Sequence, residues 1–215
     1  MGTKDFRFMV FPRWALLGSL AVVMFASLVW MSDASRKSET AQNLQSAYTG
    51  EANAYVRYLA FAERAQEEEH GEVASLFRAA ACAEHVHLKN HAAVLRKMGF
   101  EPVLKIDTPV VKTTAENLRT AADAGEAYER DTMYPQFIKQ ARAEGNEDAV
   151  RTFQYAMTAE AQHFKLFKDA LNNLKRMNAP SHLYYVCNVC GYTAEHAVTP
   201  CPGCGDPKAE FEEMF

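Results

Sequence analysis

The sequence predicts an all-α four-helix bundle followed by a small C-terminal module held together by metal, with an apolar segment ahead of both. Three observations predict it. Apolar residues recur at three- and four-residue spacing in four stretches, glutamates and histidines interrupt those same stripes at repeating intervals, and the C-terminal stretch holds two Cys-x-x-Cys pairs among Pro and Gly.

The elements follow in chain order. Trp14 to Met31 is an unbroken run of eighteen apolar or small residues, preceded by Lys4, Arg7 and Arg13. Such a run is long enough to enter a membrane, so residues 14–31 are expected to form a single-pass N-terminal transmembrane helix, with the remaining chain on the outer, periplasmic side. Trp30 suits the membrane interface, whereas Ser32-Asp33-Ala34 offers a small-x-small pattern, which leaves a cleaved signal segment as the alternative to a retained anchor. In the first bundle helix Leu44, Tyr48, Glu51, Tyr55, Tyr58 and Ala62 share one stripe, and in the second Phe77, Ala80, Glu84, His87, His91, Val94 and Met98 do the same. The turn between them spans Glu67 to Gly71, and Glu67-Glu68-Glu69 reads as a frayed, solvated helix end, since negative charge is disfavoured at a helix C-terminus. Gly99, Pro102 and Pro109 exclude regular helix and mark a crossover. Thr113-Thr114-Ala115-Glu116 is a capping box opening the third helix, whose stripe is Leu118, Ala122, Glu126, Glu129 and Met133. After a turn at Glu144-Gly145-Asn146, the fourth helix carries Val150, Phe153, Met157, Glu160, His163, Phe167, Leu171 and Leu174, and Asn178-Ala179-Pro180-Ser181 ends it.

The polar members of these stripes carry the chemistry. Glu51 is followed 33 residues later by Glu84-x-x-His87, and Glu126, with Glu129, is followed by Glu160-x-x-His163 after 34. This is a duplicated pair of antiparallel helices with its polar groups level. A lone Glu-x-x-His is usually a solvated face, but here five carboxylates fall at core positions, where they require cations or extensive protonation. Two divalent cations supply four positive charges. One Glu from each of two helices and Glu-x-x-His from each of the other two is the general pattern of di-iron and di-manganese bundles. The remaining histidines, His70, His85, His91, His182 and His196, are read as surface groups or neighbours of the ligands, and Cys82 as a packed thiol. A net charge of −4 argues against a nucleic-acid partner.

Cys187-Asn-Val-Cys190-Gly and Cys201-Pro-Gly-Cys204-Gly lie in a stretch too short for a hydrophobic core of its own. Each pair is followed by a Gly that permits a tight turn, so that backbone N–H groups can point at the sulfurs. Four thiolates suit zinc or iron, and a disulfide pair is the metal-free alternative. Iron makes this an electron-transfer module; zinc makes it a structural clip.

In order and spacing, Gly50-Glu51-Ala52, Glu84-x-x-His87, Gly125-Glu126-Ala127-Tyr128-Glu129, Thr132-Met133-Tyr134-Pro135, Glu160-x-x-His163 and both cysteine pairs resemble a rubrerythrin over about residues 40–215. The resemblance implies a ferritin-like di-iron domain over residues 38–178 and a rubredoxin-like domain over 182–215. It implies that Glu84 and Glu160 bridge two irons, that Glu51 and Glu126 are terminal ligands, and that His163 holds one iron. The other iron exchanges His87 and Glu129, while Tyr58 and Tyr134 hydrogen-bond the carboxylates and complete the catalytic set. A third iron is held by Cys187, Cys190, Cys201 and Cys204. The implied activity is reduction of hydrogen peroxide to water, in defence against oxidative stress, with electrons passed through the thiolate iron from a donor protein or reductase. The implied assembly is a head-to-tail homodimer in which each cysteine module serves the neighbouring bundle, because the tether within one chain leaves the centres far apart. The N-terminal apolar run departs from familiar, soluble members. Two rival readings stand beside this one: a ferritin-like oxidase or iron-handling protein using oxygen, and a non-enzymatic interaction protein stabilised by metal.

Overall fold

The computed structural model describes residues 38–215. The first two apolar stripes wind into α1 (Glu39–Glu67) and α2 (Gly71–Lys97), joined by a turn in which Glu69 takes a positive φ of 62°. An extended crossover follows, held to α1 by side-chain amides: Gln45 pairs with the backbone of Val103, and Asn53 bonds Lys105 O and Asp107 N. The third helix opens as α3 (Thr114–Arg119), where Thr113 Oγ1 accepts from Glu116 N at 3.4 Å, the forward bond of the expected capping box, and donates to Glu116 Oε2 at 2.7 Å. It continues through two π-helical turns, Thr120–Glu126 and Glu129–Met133, into α4 (Tyr134–Ala143). These π turns depart from the uninterrupted helix that the stripe suggests. A π turn widens the helix by one residue, and here both Glu126 and Glu129 point inward, 0% and 9% exposed. The bundle closes with α5 (Glu147–Asn173). That helix ends earlier than the Asn-Ala-Pro-Ser segment, tightening into a 3-10 turn over Leu174–Arg176 as Leu174 and Met177 fold onto the core.

Two apolar layers make up the bundle core, one on each side of the glutamate–histidine belt. Along α1 the order is Leu44 and Ala47, then Glu51, then Tyr58 and Phe61; along α2 it reverses, with Phe77 before Glu84 and His87, and Leu95 after them. The third and fourth helices repeat this, so antiparallel packing brings like layers together. The turns tie the two halves to each other: Glu68 Oε2 accepts from Thr114 N at 2.9 Å, while Glu144 Oε1 accepts from Glu39 N and Thr40 N at 3.1 and 3.2 Å. The turn glutamate of each hairpin thus caps the first helix of the other. Glu68 is a cap, not the idle solvated charge its position in a Glu triplet suggests.

The linker after α5 lies against the start of α2. Ala179 N donates to Glu72 Oε1 at 3.0 Å and His182 N to Ser75 Oγ at 3.2 Å, and a Cβ on Gly71 would sit 2.0 Å from Pro180 O. Beyond it, β1 (Tyr184–Cys187), β2 (Thr193–Ala194) and β3 (Phe211–Met214) form an antiparallel sheet in the order β2-β1-β3. The apolar run over 14–31 lies outside the described residues. The single-pass anchor and outer-side placement expected from it are not supported: among the described residues no helix is long and apolar enough to cross a membrane. The long described helices are amphipathic, carrying charges on their outer faces and carboxylates inside.

Candidate metal centres

Glu51 on α1, Glu84 and His87 on α2, Glu126 and Glu129 on the π-helical stretch, and Glu160 and His163 on α5 meet at mid-bundle, all of them buried. Their ligand atoms form two groups, Glu51–Glu84–His87–Glu160 and Glu84–Glu126–Glu160–His163, each within 4.8 Å. Glu84 and Glu160 belong to both. Glu129 belongs to neither, although it is buried beside them. Tyr58 OH donates to Glu126 Oε1 at 2.5 Å and Tyr134 OH donates to Glu51 Oε1, so each terminal carboxylate is held by a tyrosine from the opposite half of the repeat.

Whether these residues fit metal is decided by the oxygens they leave over. Glu51 Oε2, Glu84 Oε1, Glu126 Oε2 and Glu160 Oε1 are all buried without a hydrogen-bond partner. His87 Nδ1 comes within 2.9 Å of Glu160 Oε1 without bonding it, its bond going to Glu84 Oε2 at 2.9 Å. Four orphan carboxylate oxygens in one dry belt are costly, and divalent cations satisfy all of them. The histidine tautomers agree. His87 Nε2 lies 3.0 Å from Cys190 O, a carbonyl that can only accept, so Nε2 carries the hydrogen and Nδ1 is left to face the carboxylates. Likewise His163 Nε2 lies 2.9 Å from Thr193 Oγ1, whose own hydrogen goes to Gly191 O at 3.2 Å, which frees Nδ1.

The electrostatics describe the same crowding. Burial raises Glu84, Glu126 and Glu129 well above the usual carboxylate range, and the surrounding carboxylates add to it. Glu160 is raised less: burial acts against the opposing field of His87. Burial alone would also raise Glu51, but the imidazoles of His91 and His87 facing it, with the Tyr134 hydrogen bond, lower it to about 2. Burial lowers His163 to about 4; burial acts the same way on His87, but the charge and close approach of Glu160, the hydrogen bond to Glu84 and the charge of Glu51 together raise that imidazole.

The four cysteines form a separate group. Cys187, Cys190, Cys201 and Cys204 bring their sulfurs within 4.8 Å of one another, with Cys187–Cys204 at 4.0 Å and Cys190–Cys201 at 3.7 Å. These distances exclude a disulfide, which needs about 2.05 Å, and suit four thiolates around one ion. Gly191 and Gly205, at φ of 75° and 71°, close the two knuckles by donating to Cys187 O at 2.9 Å and Cys201 O at 2.8 Å. Cys187 is lowered to about 5, first by its hydrogen bond with Cys190 and further by the N–H groups of Cys190 and Val189, which overcome burial.

The two centres touch within one chain. The His87–Cys190 and His163–Thr193 contacts seat the first knuckle directly on α2 and α5, and Asn90 Nδ2 adds a bond to Val189 O at 2.9 Å. The expectation that one chain's tether keeps its centres far apart is therefore corrected: the linker is pinned to α2 and turns the sheet back onto the bundle. Sequence reasoning passed over Thr152 and Thr193, and left His91 between a surface group and a neighbour of the ligands, which the structure resolves in favour of the second. His91 is fully buried, 3.7 Å from Glu51 Oε1, while His85 and His196 are exposed. A signal for it existed, since His91 stands in the apolar stripe where the other half of the repeat has Phe167.

Two carboxylate–histidine sets sharing a pair of glutamates, with a four-thiolate site against them, define a ferritin-like di-metal carboxylate protein carrying a four-cysteine module. The sequence profile of the rubrerythrin family matches residues 42–171. Rubrerythrin-2 of Clostridium acetobutylicum is 36% identical over 181 residues, covering 82% of this chain and 97% of that protein. Nigerythrin of Nitratidesulfovibrio vulgaris is 36% identical over 176 residues, covering 80% and 85%. A solved structure of nigerythrin in a mixed-valence state superposes with a TM-score of 0.73 at 34% identity, covering 81% of this chain and 86% of that one. The chain belongs to the rubrerythrin family. Its cofactor is iron, a di-iron pair at the carboxylate–histidine site and one iron at the four cysteines.

Proposed function

We propose that this protein is a peroxidase that reduces hydrogen peroxide to water. The observation that carries the reading is His87, whose Nε2 donates to Cys190 O at 3.0 Å while its Nδ1 lies 2.9 Å from both Glu84 and Glu160. One imidazole joins a ligand of the thiolate iron to the ligands of the di-iron pair. Iron storage has no use for an electron supply in this position, whereas repeated reduction requires one.

When bound, the di-iron pair supplies the two electrons that peroxide takes up, and the thiolate iron renews them one at a time. Conversion of one hydrogen peroxide to two waters also consumes two protons. On this reading Glu51, Glu84, Glu126, Glu160 and His163 would hold the iron pair, Glu84 and Glu160 being common to both ligand groups, and His87 and Glu129 would be available for the remaining position. Tyr58 and Tyr134, whose hydroxyls burial raises well above their usual range, stay protonated and keep the terminal carboxylates oriented. Phe77 and Phe167 on one side and Phe153 on the other exclude bulk water. A homodimer and an external donor protein or reductase complete the proposal. Delivery across subunits is not needed, since the cysteine module already meets its own bundle.

Replacing Cys187 and Cys190 together by Ser tests this. The chemically pre-reduced variant should consume about one peroxide per di-iron site, because that event uses only electrons stored there. Sustained turnover with an external donor should collapse. Unchanged steady-state turnover after loss of the thiolate iron would overturn the assignment.

A further inference from the structure

The two halves of the repeat each place a tyrosine on a terminal carboxylate, but they surround the two tyrosines differently. Tyr58 packs against Phe167, ring centroids 5.5 Å apart, and that neighbour has no hydrogen-bonding atom. At the matching position four residues after the other ligand histidine stands His91, 6.0 Å from the Tyr134 ring. His91 Nε2 lies 3.2 Å from Tyr134 OH, and His91 Nδ1 lies 3.1 Å from Thr152 Oγ1. Thr152 in turn lines a surface groove of 380 Å³ between α2, α5 and the cysteine module, with Asn90, Lys97, Asp148, Arg151 and Tyr155 around it. The groove opens to bulk water, and although its lining is more apolar than polar, the polar side chains around Thr152 give that water hydrogen-bond partners. His91 and Tyr134 are fully buried and Thr152 is 5% exposed, so the three side chains span the distance from groove to metal belt.

We propose that Thr152, His91 and Tyr134 form a one-way proton line from this groove to Glu51, serving the reductive chemistry proposed above. The direction follows from counting hydrogens. Tyr134 has one hydroxyl hydrogen and gives it to Glu51, so its oxygen accepts from His91. His91 therefore carries its hydrogen on Nε2, which leaves Nδ1 an acceptor that only the Thr152 hydroxyl can serve. Every donor in the line points inward, and Thr152 Oγ1 keeps its lone pairs for water in the groove. In one pass a proton from groove water reaches Thr152, whose own proton moves to His91 Nδ1. The Nε2 proton moves to Tyr134, and the Tyr134 proton moves to Glu51. Each of the three groups ends with as many protons as it began, and His91 changes tautomer and not charge. One pass supplies one of the two protons that each peroxide consumes.

Thr152 and His91 are positioning residues on this account, and their test does not depend on peroxidase activity. In the zinc-loaded full chain with 15N-labelled histidine, His91 should be a neutral imidazole protonated at Nε2. Exchange of that hydrogen with solvent should slow about ten-fold in Thr152→Val, which keeps the side-chain shape and removes the hydroxyl. A hydrogen on Nδ1, or exchange unchanged by the valine, overturns the line whether or not the protein reduces peroxide. In the iron-loaded protein, His91→Phe installs the residue the other half already carries. It should leave metal content intact while lowering kcat about 100-fold, the lower end of what a positioned proton-transfer group contributes, and raising the solvent isotope effect. If the parent lacks peroxidase activity, the function proposed above fails and the spectroscopic arm still decides the line.

Discussion

Glu84 and Glu160 sit in both candidate ligand groups, so on the proposed assignment removing either would take a ligand from both irons at once. Glu84→Ala or Glu160→Ala should lose both bundle irons while retaining the thiolate iron, read by metal analysis together with thiolate absorption. Retention of the parental stoichiometry would show that neither bridges. The same crowding sets a pH dependence. Glu84, Glu126, Glu129 and Glu160 are raised above the ordinary 4.5, so the fold keeps protons that the unfolded chain gives up. Their contribution is present below pH 4.5 and drains away as pH rises through the folded values. His87, raised above 6.5, acts in the same sense, with a contribution present below that value and lost above it. Glu51, lowered to about 2, acts oppositely, but its contribution is already complete above 4.5, and His163 and His91, lowered from 6.5, oppose the loss only until pH reaches about that value. Metal-free protein should therefore melt at lower temperature as pH rises from about 5 to 8, and zinc-loaded protein at higher, since the ion replaces protons. Thermal melts of both forms check this, and a metal-free midpoint that climbs with pH would overturn it.

At the scale of elements, the decisive contact is between the first cysteine knuckle and α2. Gly191 holds φ at 75°, and a Cβ there would fall 2.4 Å from His87 Nε2. Gly191→Ala should lift the knuckle from the bundle while both metal sites stay filled. Rapid mixing with a reductant would then find the thiolate iron reduced at the parental rate and the di-iron pair reduced much more slowly. Parental rates at both would mean that electrons take another route. The π-helical turns belong to the same scale: they shift the register of the third helix around Glu126 and Glu129, which stand three residues apart and so share the face turned to the belt.

Across the whole molecule the two halves rest on different forces. The bundle has two apolar layers, one built on Phe61, Phe77 and Phe167 and the other on Leu44, Leu95 and Phe153. The cysteine module has three short strands, and the buried residues of its cluster are Cys187, Cys190 and Cys201 themselves. Stripping the thiolate iron should therefore unfold the module and leave the bundle helical. Amide spectra should collapse over residues 184–214 while helical circular dichroism changes little; loss of both together would mean that the module's contacts on α2 sustain the bundle.

Periodicity within each segment was enough to read the four helices, the repeat and the ligand types from sequence, because helical spacing puts Glu84 beside His87 and Glu160 beside His163 whatever else the chain does. The Cys-x-x-Cys spacing was enough for a metal module by the same local logic. Tertiary structure alone decided what depends on contacts between distant segments. Among these are the pinning of the linker to α2, the seating of Cys190 on His87, and the capping of each hairpin by the turn glutamate of the other. It also decided the role of His91, which in sequence is one more polar residue in a stripe. Its meaning comes from Thr152 and Tyr134, 61 and 43 residues away, and only the packing of α2 against α4 and α5 brings their hydroxyls to its two nitrogens.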